Sequence, residues 1–106
     1  MSTHTNQPCG CLELPRADAW TAHASVEQWL RSASAQAADG DLERLAVGSR
    51  LLKRLETGDR MTHEELSLLA ECCRSRLNDR SLPPRERESL TAVLSRIEQA
   101  LVVCSN

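Results

Sequence analysis

Thr57-Gly58-Asp59-Arg60-Met61-Thr62-His63-Glu64-Glu65-Leu66 holds a helix stop and a helix start in one short run. Gly58 can end a helix, since a residue without Cβ takes the left-handed conformation that helix C-termini favour. Thr62 followed three residues later by Glu65 is a capping box, in which each side chain satisfies a backbone N–H of the other. Met61 and Leu66 stand at the positions of the matching hydrophobic staple. Two further breaks, Asp39-Gly40-Asp41 and Ser81-Leu82-Pro83-Pro84, flank this one. Between the breaks apolar residues recur in steps of three and four, the helical period. An all-α fold follows: four helices in a bundle or in paired hairpins, with a flexible N-terminal arm over residues 1–15 and one helical domain over 16–104.

The first helix is expected to begin after Pro15 and to run to about Ala38, with His23, Val26, Leu30 and Ala33 inward and Trp29 broadening the stripe. Gly40 serves as its C′ residue and Asp41 caps the next helix, placed over 42–56. That helix is expected to face inward with Leu42, Leu45, Ala46, Leu52 and Leu55, with Val47 and Leu51 alongside. Gly48 in its middle costs about 1 kcal/mol relative to Ala, so another helix should approach it closely. The third helix runs from the Thr62 cap to about Asp79, burying Leu66, Leu69, Ala70, Cys73 and Leu77. The fourth follows Pro83-Pro84 and buries Leu90, Val93, Leu94, Ile97, Leu101 and Cys104. Leu12 and Leu14 can tack the arm to the core.

Composition limits what the chain can be. At 106 residues it supports one modest core. With no Phe, no Tyr, and Trp20 and Trp29 as its aromatic residues, that core is built from Leu, Ala and Val. No stretch approaches the roughly 20 apolar residues of a membrane span. The N-terminal segment lacks the charged-then-apolar pattern of a signal peptide. A cytoplasmic protein with reduced thiols is expected.

The net charge of −2 does not suggest nucleic acid. Arg74, Arg76 and Arg80 could touch phosphates, but the third helix opens on His63-Glu64-Glu65, which would push acids toward a groove. Nucleic-acid binding is therefore not expected.

The five cysteines are Cys9, Cys11, Cys72, Cys73 and Cys104. Zinc takes four tetrahedral thiolate or imidazole ligands. The candidate set is Cys9, Cys11 and Cys72, with His4, His63 or Cys104 as the fourth. The usual knuckle spacing is absent, and adjacent helical residues such as Cys72 and Cys73 diverge by about 100°. Cys73 and Cys104 read as small buried hydrophobes. Cys9 and Cys11, in a polar arm, are what a metal or redox role would use. Three histidines without an orienting group or an oxyanion-hole motif make no catalytic set, so no enzymatic activity and no cofactor other than zinc are expected.

Trp20, Val47, Leu51, Leu68 and Val102 widen the apolar stripes beyond one bundle core and are the expected interface residues. The leading functional expectation is a non-enzymatic protein-interaction or regulatory module that self-associates, with a homodimer as its first form. The alternative is a thiol-dependent zinc-binding or redox-responsive protein.

Four phrases carry a family resemblance: Leu12 through His23, Leu51 through Asp59, Thr62-His63-Glu64-Glu65-Leu66, and Val93 through Ile97. Over residues 12–101 the chain resembles small helical proteins of unknown function from halophilic archaea. The resemblance implies a helical fold and brings no activity, substrate or site residue. The net charge of −2 and the five cysteines depart from that pattern.

Overall fold

The computed structural model describes Leu12, residues 14–35 and residues 42–105. Its four helices are α1 (Arg16–Ala35), α2 (Leu42–Thr57), α3 (His63–Leu77) and α4 (Pro84–Ser105). Residues 1–11, 13, 36–41 and 106 lie outside the described set, and with them the expected extension of the first helix to Ala38, the Gly40 cap and the Asp41 cap. Leu12 and Leu14 pack against the core as half-buried side chains.

The contacts between helices set an up-down-up-down order. His23 on α1 meets Glu56 at the end of α2, while a Cβ on Gly48 would stand 2.9 Å from Leu30, so α1 and α2 are antiparallel. Arg44 pairs with Glu71 and Arg50 with Glu64, which makes α2 and α3 antiparallel as well. Arg76 pairs with Glu86 and Arg74 with Glu98 across α3 and α4. Ser89 donates to Asp18 at 2.7 Å, fastening α4 to the first turn of α1. α1 packs on all three other helices and α3 does the same, whereas α2 and α4 lie on opposite flanks.

The core consists of aliphatic and thiol side chains: Val26 from α1, Leu51 from α2, Leu66, Leu69, Cys72 and Cys73 from α3, and Leu90, Val93 and Ile97 from α4. On α3 and α4 the expected stripes face the core: Leu66, Leu69, Ala70, Cys73, Leu90, Val93 and Ile97 are buried, and Leu77, Leu94 and Leu101 are half-buried, while the side chain of Cys104 lies outside the described set. On α2 the expected face is turned. Leu42 and Ala46 are exposed, and Val47, Gly48 and Leu51 face inward. The close approach at Gly48 is real: Leu30 and the Trp29 ring occupy the space that a side chain would need.

The capping box is formed. Thr62 Oγ1 accepts from the Glu65 N–H at 3.1 Å, and Glu65 Oε1 accepts from the Thr62 N–H at 3.0 Å. Glu65 is fully buried, and two guanidinium groups of α2 meet it, Arg54 Nε at 3.3 Å and Arg50 Nε at 3.5 Å. A buried carboxylate is tolerable only when its oxygens are satisfied in this way. Glu65→Ala removes the cap acceptor, takes from Arg54 its carboxylate and leaves Arg50 with Glu64 alone, and should lower the unfolding free energy by about 2–4 kcal/mol. Thr62→Ala removes one cap bond and should cost about 1–2 kcal/mol. Urea denaturation followed by circular dichroism reads both; equal losses would mean that the arginine contacts contribute nothing.

Candidate functional site

Arg16, Ala19, Trp20 and His23 fall on one face of α1, spaced by three and four residues. Opposite them stand Leu55 and Glu56, near the end of α2. Together these residues line an open cleft of about 410 Å³, within the range of small-ligand pockets. Trp20 stands at the cleft with 63% of its surface exposed.

His23 is fixed from both sides. Its Nε2 lies 2.9 Å from Glu56 Oε2 and its Nδ1 lies 3.3 Å from Glu27 Oε1. Carboxylate oxygens only accept, so both contacts are hydrogen bonds when the ring carries both protons. The Trp20 ring meets the imidazole edge-on, with centroids 6.0 Å apart and planes at 69°. Both ring nitrogens of His23 therefore lie against carboxylate oxygens. The lining has no hydroxyl or thiol that could act as a nucleophile. The arrangement offers an apolar floor between a cationic rim at Arg16 and an acidic one at Glu56.

Two smaller depressions are lined by residues that pair with one another across the fold. Arg44 and Glu71 bridge the groove of about 180 Å³ between α2 and α3. Between α1 and α3 a pocket of about 90 Å³ is lined by polar side chains, among them Ser25, Ser32 and Arg76. Arg76 Nε there is buried without a partner among the described residues, while its terminal nitrogens donate to Gln28 and Glu86.

The structure separates the five expected interface residues. Trp20 and Val102 are exposed, Val102 at 64%. Val47, Leu51 and Leu68 are a correction: all three are buried inside the single chain. They lie between α2 and α3, so they are not surplus to one core. A charge at Leu51 would unfold the chain rather than open an interface. The sequence reading also missed Arg16, Leu55 and Glu56. Their signal was the hairpin itself, since an antiparallel pair folded about position 39–40 sets residue 23 opposite residue 56.

Of the candidate metal ligands, Cys9, Cys11 and His4 lie outside the described residues, as does the side chain of Cys104. Cys72 is buried in the core. His63 is nine residues earlier on α3, about 13 Å along the axis at 1.5 Å per residue, too far to share an ion with it. Among the described residues no group of three or more His, Cys, Asp or Glu side chains is arranged to hold a metal ion. Of the three arginines considered for phosphate contact, Arg74 pairs with Glu98 and Arg76 with Glu86.

Burial raises the Cys72 thiol from the ordinary 9.0 to about 12, helped by the neighbouring Cys73 and Glu71 charges. Burial does the same to Cys73, which also reaches about 12. A group whose folded value is raised supports the fold fully below its unfolded value, and loses that support as pH climbs. Stability should therefore fall between pH 9 and about 12, and Cys72→Ala/Cys73→Ala should flatten that fall. At neutral pH iodoacetamide should label Cys72 and Cys73 only on unfolding, as site-resolved mass spectrometry would show. Rapid labelling of the native chain would mean that the thiols are reachable.

No helix among the described residues is long and apolar enough to cross a membrane. No curated protein and no solved structure shows significant similarity to the chain. A family of unknown function, DUF7853, matches residues 12–98, which takes in the Trp20 cleft and most of all four helices. By that match the chain belongs to the DUF7853 family.

Proposed function

We propose that this protein is a small non-enzymatic interaction module that docks through the α1–α2 face around Trp20, with self-association as its first form. The observation that carries the reading is the position of Trp20. It is the largest side chain type in a chain nearly devoid of aromatics, and it stands in water beside a cleft with an apolar floor. Tryptophan is the residue type most enriched among interface hot spots, where it provides large contact area with little loss of side-chain freedom. The reading places the protein in the cytoplasm with reduced thiols. A relation to halophilic archaea belongs to the same reading and rests on the helix phrases quoted above.

A photo-cross-linking residue in place of Ala17, exposed on the same helix, tests the face in cells. One discrete cross-linked product is expected, and Trp20→Ala should abolish it. Because Trp20 is largely in water, that substitution should change stability by no more than about 0.5–1 kcal/mol. A cross-link indifferent to Trp20→Ala, or none at all, would sink the reading.

A further inference from the structure

We infer that the occupant of the Trp20 cleft is a second copy of this chain, docked about a two-fold axis that passes through Trp20; this rests on the docking role given to that face. The argument is one of register and charge. Arg16 precedes Trp20 by four residues, about 6 Å along the helix axis, and His23 follows it by three, about 4.5 Å. Glu56 is held level with His23 by the 2.9 Å hydrogen bond. A cation and a carboxylate therefore flank the indole at nearly equal distances on opposite sides. Arg16 forms no ion pair with any described residue. Glu56 gives one oxygen to His23 and is 58% exposed, so its other oxygen is open to a partner.

A two-fold axis perpendicular to α1 at Trp20 reverses this order in the second copy. Each Arg16 then lies beside the other copy's Glu56, and the two indoles meet over Ala19 and Leu55. A partner of one charge sign would satisfy either Arg16 or Glu56 and repel the other. A second copy satisfies both, twice. The face is small, so the dimer falls in the weak class, with a dissociation constant on the order of 10 μM.

Sedimentation velocity over a micromolar concentration series decides it. Arg16→Glu and Glu56→Arg alone each place two like-charge contacts in the dimer and should weaken it at least tenfold. Mixed in equal amounts, they should recover the affinity of the original chain as a heterodimer. The chain carrying both substitutions should dimerise too, although its His23–Glu56 bond is gone. That recovery separates lost charge pairing from a locally damaged fold. Single variants that dimerise normally would overturn the two-fold arrangement, as would a double variant or a mixture that fails to recover. If those failures accompany a dimer that Trp20→Ala abolishes, the docking face stands and only the pairing falls. A dimer indifferent to Trp20→Ala overturns both. An unsubstituted chain that stays monomeric overturns the second copy as occupant, leaving the face to a foreign partner and to the cellular cross-link.

Discussion

The buried carboxylate of Glu65 is the constraint on which the α2–α3 half of the molecule depends. One side chain with no exposure accepts the Thr62 N–H that starts α3 and meets Arg50 and Arg54 of α2. The cap is a local contact, made within one helical turn, and it holds Glu65 at the start of α3. Desolvating it then becomes tolerable only if α2 brings both guanidinium groups to that spot. The demand fixes the height of α2 against α3 and its rotation about its own axis. Arg44–Glu71 and Arg50–Glu64 follow in the same register, and they lie at the surface, where ion pairs contribute little. The discriminating contact is the buried one.

That same demand explains where the sequence was readable and where it was not. The punctuation at Gly58, Thr62 and Pro83-Pro84 places helix ends, because caps and turns are local chemistry. Stripes on α3 and α4 were equally legible, since Leu66, Leu69, Leu90, Val93 and Ile97 leave little choice of face. On α2 apolar residues occupy nearly every direction: Leu42, Leu45, Ala46, Val47, Leu51, Leu52 and Leu55. Hydrophobic periodicity cannot choose among them. The choice falls to Arg50 and Arg54, which must reach Glu65, and to Gly48, which must meet α1. Those two requirements turn Val47 and Leu51 inward, and with them Leu68 of α3 is covered.

The two tryptophans show how one missing side chain decides a fate. Trp29 packs half-buried beside Gly48, where a Cβ would stand 3.1 Å from its ring, and the Arg44 guanidinium covers it at 5.7 Å from the centroid. Any larger residue at Gly48 would push Trp29 or Leu30 outward. Trp20, nine residues earlier on α1, finds no such seat.

Helix length supplies the reason. An antiparallel α1–α2 pair that sets His23 against Glu56 would set Trp20 against position 59, and Arg16 against position 63. α2 ends at Thr57, and Gly58 takes φ +75°, with its N–H and that of Asp59 both donating to the Arg54 carbonyl. The chain then turns away to start α3 at the Thr62 cap. The first turns of α1, held by α4 on their other side, therefore project past the end of α2. The stop that lets Glu65 reach its arginines is the stop that leaves Trp20 uncovered. The cleft is thus not an addition to the bundle: its position follows from how α2 must end for α3 to begin.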